Sequence, residues 1–498
     1  MQQVEPTPPH PSTVPTDRQR AQVVVDAYRT CQGEVDGSLE LLEGALPAGL
    51  RGTLYRNGVV GLDVHGTQQM HPFDGDGMVS RFTFDGRSVR YRNRVVETRE
   101  VLAERAAGRM LYRNFGTNLP GGFLRNALRM RFKNAANTSV VRHGGRLLAL
   151  WEGGQPHALD PERLACLGRF DFDGELRNPG GALDALLSPE LPFSAHPTID
   201  PADGSLHNFG TLVGRTPQLV LYRVDPAGRM VERRFVPLPR ASFVHDFVLT
   251  PRFRVFFLTP VAFDVARALS GLTSPVDSIS RDPGQPTEVL LVPRDGSDPV
   301  RIETTPSFTF HWINGYETED GRVVVDGCRM SDFEGGTVDL RDAAVIEALE
   351  VPPPLPTRWV LDPRKRTAAE RPLSDVPLEL PGVHPAFETR PYRYAYGTAR
   401  LRRAGPPLHN GLARLDVEEG ELQTRDFGLD LPGEPVLALK PGTARELDAW
   451  VLTVVYVAAA RRSELLVLDA RDLSTVARLA LPHHHPPGFH GQFVPASP

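Results

Sequence analysis

The fold of this chain is decided by LVLDARDLSTVAR, residues 466–478. An apolar strand runs into a turn that begins at Asp469, and a second strand follows the turn. A turn led by Asp between two such strands signals a β-hairpin. The segment therefore predicts two antiparallel strands joined by a short connection.

The same hairpin pattern recurs along the whole chain, in seven segments such as FTFDGRSVRY and WVLDPRKRTAAE. Its turn aspartates are Asp85, Asp160, Asp225, Asp295, Asp362, Asp416 and Asp469. Each interval between them suits one four-stranded blade with its loops, and regular repetition of such units indicates a radial fold. We predict an all-β protein, a seven-bladed β-propeller with a helical and loop cap over its top face. Hairpins led by Asp also occur in other β folds.

Composition excludes several classes of protein. The 498 residues are 40% hydrophobic and 23% charged, as in an ordinary globular protein with a sizeable core. The formal net charge is -5 with both signs interspersed, so we expect no nucleic acid partner. The 3 cysteines are odd in number and widely spaced, which fits neither a disulfide framework nor a cysteine zinc site. A reducing, cytoplasmic location is expected.

The least apolar and the most apolar stretches of the chain indicate its domain organisation. The stretch MQQVEPTPPHPSTVPTDRQR has no apolar run, so residues 1–20 are predicted to be a disordered lead-in and residues 21–498 a single propeller domain. The longest apolar run, AWVLTVVYVAAA at 449–460, falls short of the roughly 20 residues that span a bilayer. It reads as a buried strand.

Four histidines lie in apolar, strand-like surroundings far apart in the chain: His196, His245, His311 and His490. Four neutral imidazoles that met at one point would bind a soft-to-borderline divalent metal such as iron. Any one of them alone is more often a core residue. Most other histidines, among them His143, His157, His207, His384 and His409, lie beside Pro, Gly or charged residues and read as loop residues.

The hairpin repeat brings some of these histidines to one place. His245, His311 and His490 follow their preceding turn aspartates at nearly the same distance, and Glu379 and Glu434 do so as well. The strand after an outer hairpin is the innermost strand of the next blade, so these residues are predicted to face the central axis. His196 breaks the interval, which requires an insertion around NPGGALDALLSPELP (178–192).

Three glutamates in apolar stretches could serve the metal indirectly. A neutral imidazole ligand needs an acceptor for its second ring nitrogen, and Glu152, Glu379 and Glu434 are candidates. Pairing with arginine, or plain surface exposure, is the alternative for each. Iron is the predicted metal, because four nitrogen ligands on an octahedral iron can leave two adjacent positions open for dioxygen. Zinc is usually four-coordinate, so four histidines would tend to leave it no open position.

These residues in their contexts resemble the carotenoid cleavage oxygenases, especially their bacterial apocarotenoid branch. The likeness runs from about Gly52 to Phe493. It includes LYRNG (54–58), HPFDGDGMV (71–79), FKNAANTS (132–139), LLALWEGGQP (147–156), RPYRYAYG (390–397) and SELLVLDA (463–470), besides the four histidine segments.

The resemblance implies a seven-bladed propeller with one Fe(II) per chain, held by His196, His245, His311 and His490. It implies that Glu152, Glu379 and Glu434 support these ligands, and that the methyl group of Thr138 crowds one open iron position. It implies a substrate tunnel lined by Phe115, Trp151, Phe243 and Phe310. Leu380 departs from the family, which usually has Phe there, so the tunnel at that point is expected to be wider or curved differently.

The implied reaction is cleavage of a conjugated C=C bond of an apocarotenoid by dioxygen, which gives two aldehydes, one of them retinal-like. Cleavage of a stilbene of the lignostilbene type, isomerising ester cleavage, and a propeller that only binds a ligand are the alternatives. An apolar polyene substrate favours peripheral membrane contact through segments 119–128 and 261–272, which combine apolar residues with arginine. Packing of these segments on the propeller face would explain them equally well.

Overall fold

The computed structural model describes residues 15–129, 132–180, 190–212, 216–282, 284–333, 335–402, 405–443 and 445–496. Strands dominate these residues. The α-helices within them are short: α1 (Asp17–Ala27), α2 (Arg99–Ala107), α3 (Phe123–Asn126), α4 (Val265–Ser270) and α5 (Ala343–Glu347).

Seven antiparallel sheets form the blades of a propeller. The first contains β1 (Asp36–Ser38), β3 (Arg51–Val59), β6 (Gly77–Asp85), β7 (Val89–Val95) and β35 (Gly488–Pro495). The second contains β8 (Ser139–His143), β9 (Arg146–Leu150), β10 (His157–Leu159) and β11 (Cys166–Arg169). The third contains β12 (Thr198–Ile199), β13 (Leu206–Leu212), β14 (Gln218–Val224) and β15 (Met230–Pro237). The fourth contains β16 (Val248–Leu249), β17 (Phe253–Leu258), β20 (Thr287–Pro293) and β21 (Val300–Thr304).

The remaining blades continue in chain order. The fifth contains β22 (Phe308–Glu317), β23 (Val323–Met330), β24 (Leu355–Asp362) and β25 (Thr367–Pro372). The sixth contains β26 (Leu378–Val383), β27 (Tyr394–Ala399), β28 (Gly411–Asp416) and β29 (Leu422–Asp426). The seventh contains β2 (Glu40–Gly44), β30 (Leu431–Pro432), β31 (Val436–Leu439), β32 (Ala449–Val457), β33 (Arg462–Asp469) and β34 (Thr475–Ala480). Two small ribbons are β4 (Asp63–Val64) with β5 (Thr67–Gln68), and β18 (Val261–Phe263) with β19 (Ile279–Arg281).

The two ends of the chain close the ring. Strand β35 pairs with β3, with Phe493 opposite Leu54, and so supplies the innermost strand of the first blade. Strand β2 pairs with β34 and supplies the outermost strand of the seventh blade. The sheets on both sides of this junction thus include strands from both ends of the chain, which ties the two termini into the ring.

Every one of the seven turn aspartates lies in the hairpin between the third and fourth strands of its blade. The side chain of each accepts hydrogen bonds from backbone N–H groups of the turn, which satisfies donors that the ladder leaves open. Asp469 accepts from the N–H of Arg471 at 2.9 Å, and equivalent bonds form at the other six. The predicted seven-bladed propeller is confirmed.

Seven of the hydrophobic clusters among the described residues each fill the space between two neighbouring blades. Between the first and seventh blades, for example, Leu54 and Phe82 pack with Trp450 and Leu465. The other six clusters join the remaining pairs around the ring. The apolar run at 449–460 forms β32, a buried strand, as predicted. Because each blade buries its faces against two neighbours, the innermost strands are held rigidly around the axis.

The helices α2 to α5 lie on one face of the ring. Helices α2 and α3 belong to the connection from β7 to β8, α4 to that from β17 to β20, and α5 to that from β23 to β24. Since the strands of a blade alternate in direction, these connections emerge on the face opposite the turns that Asp leads. Helices α3 and α4 contact each other there, and the N–H of Leu128 donates to the carbonyl of Leu269 at 2.9 Å.

Two local expectations need revision, and a third lies largely outside the described residues. Residues 1–14 of the expected lead-in lie outside the described part of the chain, but Asp17 to Arg20 are helical, because Thr16 and Gln19 form a capping box and Arg20 is buried. Much of the expected insertion, residues 181–189, also lies outside the described part. His143, His157 and His207 are not loop residues, since they belong to β8, β10 and β13.

Candidate metal centre

The four predicted histidines lie together near the axis, on or just before the innermost strands of four blades. His196 precedes β12, His245 precedes β16, His311 is in β22 and His490 is in β35. The Nε2 atoms of His196 and His245 are 2.9 Å apart. The ring centre of His311 is 5.2 Å from that of His196 and 4.9 Å from that of His490.

Ring nitrogens of three of these residues, His196, His311 and His490, lie within 4.8 Å of one another and can hold one metal ion. An overlapping group joins His196 and His245 to Glu152. The arrangement is therefore a metal site built on a histidine triad, with the fourth imidazole beside it.

Carboxylates hold the outer ring nitrogens of the histidines. Nδ1 of His311 lies 2.5 Å from Oε2 of Glu379, and Nδ1 of His490 lies 2.8 Å from Oε1 of Glu434. The Glu152 carboxylate lies 3.3 Å from Nδ1 of His245 but makes no hydrogen bond that satisfies its buried Oε2. An ionised carboxylate can only accept, so Nδ1 of His311 and of His490 carries the hydrogen, and each Nε2 presents a lone pair.

The nitrogen atoms that face the centre fit a resident cation. Nε2 of His311 is buried and has no hydrogen-bond partner among the described residues, although a buried acceptor normally has one. For metal–nitrogen bonds of roughly 2.1 Å, two ligands at a right angle lie about 3 Å apart, which is close to the His196 to His245 separation. Without a cation, the Nε2 lone pairs of His311 and His490, which face the same centre, would repel each other.

His196 differs from the other three. Among the described residues no hydrogen bond or ion pair joins it to a glutamate, and together with His490 it lines a cavity of about 520 Å³ between the innermost strands. Burial lowers the pKa of His196 well below its ordinary value, and the three neighbouring imidazoles lower it further. A neutral imidazole is the form that binds metals.

Glu434 is held by more partners than Glu379. Its carboxylate accepts from Nη1 of Arg56 at 2.5 Å and from the N–H of Gly491 at 2.9 Å, in addition to His490. Burial alone would raise the pKa of Glu434, but Arg56 and His490 outweigh burial, and the pKa is lowered. The Arg56 side chain is only 3% exposed, so Glu434 also neutralises a buried cation.

A cavity of about 620 Å³ opens onto the cap side of the histidines. His245, His311 and His490 reach it, as do Thr138, Glu152 and Glu379. The five predicted tunnel residues all line it: Phe115, Trp151, Phe243, Phe310 and Leu380. Thr138 directly precedes β8, the innermost strand of the second blade, and its hydroxyl donates to Oδ1 of Asn137 at 3.0 Å.

The cavity wall has further aromatic residues that the sequence argument did not single out. They are Tyr28, Phe73, Phe132, Phe263 and Phe489. Signals existed for four of them, because Phe489 directly precedes His490, Phe73 and Phe132 lie in the HPFDGDGMV and FKNAANTS segments, and Phe263 lies in segment 261–272. The cavity is thus a mostly apolar chamber with a metal site in its wall, as ligand sites for apolar molecules usually are.

Comparison with known proteins identifies the family. Residues 28–495 match the family model of RPE65, the retinal pigment epithelial membrane protein. The apocarotenoid-15,15'-oxygenase of Synechocystis is 35% identical over 97% of this chain and 99% of its own. The resveratrol cleavage oxygenase 1 of Aspergillus fumigatus is 31% identical over 92% of this chain and 93% of its own. The structure of a cobalt-substituted Synechocystis ACO superimposes with a TM-score of 0.88 at 34% identity, covering 96% of this chain and 99% of that one.

The family cleaves polyene substrates with dioxygen, and its histidine metal site and propeller are both present here. The chain therefore belongs to the carotenoid cleavage oxygenase family and is one of its oxygenases.

Proposed function

We propose that this protein is an Fe(II)-dependent dioxygenase that cleaves one conjugated C=C bond of an apocarotenoid into two aldehydes. The observation that carries the proposal is the position of three of the four imidazoles, those of His245, His311 and His490, in the wall of an apolar cavity of about 620 Å³, with the fourth imidazole, that of His196, beside them. The reaction balances as one alkene and one dioxygen giving two carbonyl products, so it needs neither a separate reductant nor a protein acid or base.

His196, His245, His311 and His490 would hold the iron. When bound, Fe(II) supplies the position at which dioxygen is activated for addition to the alkene. Glu379 and Glu434 fix the orientation of His311 and His490 and keep their outer nitrogens protonated. Glu152 lies near Nδ1 of His245 without a hydrogen bond to it and contributes negative charge there, and Thr138 narrows the space beside the site.

The aromatic wall positions the polyene and excludes water. Phe243 stacks beside His245 with ring centres 6.4 Å apart, and Phe310 meets the same imidazole edge-on at 5.3 Å. A flat conjugated chain gains contact area against such rings without losing hydrogen bonds. Dry surroundings also prevent water from competing for the reacting centre.

A stilbene is the second candidate substrate, because one relative is named for cleaving resveratrol. The identity with the apocarotenoid enzyme is higher and covers more of the chain, which favours the apocarotenoid. Incubation of iron-loaded protein with a panel of apocarotenals and stilbenes, followed by identification of both aldehyde fragments, tests the choice. Retinal-like products from an apocarotenal support it. Turnover of stilbenes with none of any apocarotenal would overturn it.

We also propose that the cap docks on a membrane surface, where polyenes dissolve. Phe123, Leu124, Leu128 and Leu272 are large apolar side chains that are 51% to 82% exposed around α3 and α4. Phe263 and Pro275, on either side of α4, line the cavity. Among the described residues, no helix is both long and apolar enough to cross a bilayer.

Sedimentation with phospholipid vesicles tests the docking surface. Leu124→Ser with Leu128→Ser should reduce the bound fraction about tenfold or more, because each leucine loses on the order of 2 kcal/mol of apolar burial. Leu167→Ser is the control, since Leu167 is 68% exposed in β11, away from the cap helices. Equal binding by all three proteins would remove this surface from consideration.

A further inference from the structure

The part of the cavity wall supplied by the sixth blade contains a polar group that the proposed reaction does not use. His409 lies in the connection between β27 and β28 and lines the cavity together with Leu380, Thr398 and Pro407. The cavity residues Phe263 and Pro275, beside the apolar cap surface, belong to the fourth blade. The imidazole of His409, in the sixth blade, therefore lines the cavity two blades away from Phe263 and Pro275.

The hydrogen bonds of His409 fix its tautomer. Nδ1 lies 3.1 Å from the backbone carbonyl oxygen of Thr398 and 3.0 Å from its hydroxyl oxygen. That hydroxyl already donates its one hydrogen to the carbonyl of Glu379 at 2.9 Å. Both oxygens near Nδ1 can therefore only accept, so Nδ1 carries the hydrogen and Nε2 presents a lone pair.

This lone pair has no partner within the described part of the protein. No described residue makes a hydrogen bond to Nε2 of His409, and the half-buried imidazole reaches the cavity. Burial lowers the pKa of His409, and the Arg400 guanidinium also lowers it, although Glu379 and the Thr398 carbonyl oppose them. The ring is thus neutral and acts as an acceptor, in a wall that is otherwise mostly apolar.

We propose that His409 is the acceptor of a subsite for a hydroxyl group carried by the substrate. An O–H group donates to Nε2, whereas an aldehyde or a carboxylate offers only acceptors and gains no hydrogen bond from this nitrogen. The subsite therefore selects a hydroxylated polyene or phenol and orients it with its hydroxyl end at the sixth blade. This inference rests on the proposed function for its substrate class.

Two pairs of ligands test whether the hydroxyl that binds His409 belongs to an alcohol, as in a hydroxylated polyene, or to a phenol. The first pair is an apocarotenal with a ring hydroxyl and its parent without the hydroxyl. The second pair is 4-hydroxystilbene and 4-methoxystilbene. Binding to metal-free protein is followed by quenching of tryptophan fluorescence, since Trp151 lines the cavity. In the unmodified protein, the hydroxylated member of at least one pair should bind about five- to tenfold more tightly.

Variants assign that preference to the imidazole. His409→Phe keeps an aromatic ring but removes the acceptor, so it should abolish the preference while leaving the affinity for the parent ligand within about twofold. His409→Gln, which retains an acceptor oxygen, should restore part of it. His384→Asn is the control, because His384 lies in the same blade, caps a turn through Nδ1 and does not line the cavity.

The outcomes also separate this subsite from the proposed reaction. No preference in either pair, or a preference that survives His409→Phe, would overturn the subsite. Equal affinities within both pairs, with cleavage of a ligand by iron-loaded protein, would overturn the subsite and leave the oxygenase standing. Preferential binding that depends on His409, without cleavage of any ligand by iron-loaded protein, would support the subsite and count against the oxygenase.

Discussion

Exchange of Glu434 and of Glu379 for glutamine should have unequal consequences for stability, although both carboxylates hold a histidine of the metal site. Glu434 is surrounded by donors: Nη1 of Arg56, the N–H of Gly491 and Nδ1 of His490. In Glu434→Gln, the NH₂ group of the new amide meets at least one of these donors, whichever way the amide points. The change also leaves Arg56, 3% exposed, without its counter-charge.

Only one oxygen of the Glu379 carboxylate accepts hydrogen bonds from described residues. Its Oε2 accepts from Nδ1 of His311 and from the N–H of Leu380, whereas Oε1 has no partner among the described residues. In Glu379→Gln, the amide oxygen can keep both bonds and the NH₂ group can take the Oε1 position. No buried arginine loses its counter-charge there.

The structure sets the expected magnitudes. Removal of one partner of a buried ion pair costs about 3 to 5 kcal/mol, so Glu434→Gln should lower the free energy of unfolding of metal-free protein by about 3 kcal/mol, since the amide keeps one acceptor. Glu379→Gln should lower it by less than about 1 kcal/mol. Both should weaken metal binding by about 10- to 100-fold, because each loosens one ligand.

Urea unfolding in the presence of a chelator measures the first quantity, and titration of metal-free protein with Fe(II) under anaerobic conditions measures the second. Equal losses of stability in the two variants would refute the assignment of Glu434 as the counter-charge of Arg56. Unchanged metal affinity in both would refute the role of the carboxylates in orienting the histidines.

Three further outcomes follow from individual contacts. Glu152→Gln should weaken iron binding less than His245→Ala in the same titration, because the Glu152 contact is long and makes no hydrogen bond, and the reverse order would mean the two roles are exchanged. Burial lowers the pKa of His157 to about 4, below the 6.5 of the unfolded chain. The unfolded chain therefore takes up a proton that the folded protein refuses, so the free energy of unfolding is at its full value above pH 6.5 and falls as the pH falls toward 4. His157→Phe should therefore unfold less readily than the unmodified protein at pH 5 and below, by up to about 3 kcal/mol, and equal acid unfolding curves would contradict this. Lys133→Met should lower the free energy of unfolding, measured in urea, by about 3 to 5 kcal/mol, because it leaves the buried Glu104 carboxylate without its cation. The double variant Lys133→Met with Glu104→Gln should recover part of this loss.

Most of the fold followed from a local rule that survives in the structure. An aspartate that opens a turn satisfies backbone donors within its own hairpin, so its position is readable from sequence without knowledge of the tertiary contacts. The same regularity placed His245, His311 and His490 at corresponding positions of their blades. Closure of the ring by β35 and β2 could not be read in this way, because it joins strands from opposite ends of the chain.

The sequence was less informative where the repeat is interrupted. Thr138 stands just before the innermost strand of the second blade, a position comparable to those of the histidines in theirs, but the long connection that contains α2 and α3 hid this correspondence. Glu152 follows β9, the second strand of its blade, so no repeat position predicts it, and only its apolar setting and the family resemblance did. His409 is a loop residue, as predicted, in the connection between β27 and β28. Its place in the cavity wall could not be predicted, because no sequence pattern shows where an imidazole in a connection points.

The central claim is that four imidazoles bind one Fe(II) in the wall of the apolar cavity. Anaerobic loading of metal-free protein, with iron analysis and X-ray absorption on the same sample, tests it most directly. The account predicts one iron per chain, with four histidine nitrogens at roughly 2.1 Å. Binding of less than about half an equivalent after Fe(II) loading, or an iron coordinated by fewer than three histidines, would contradict it.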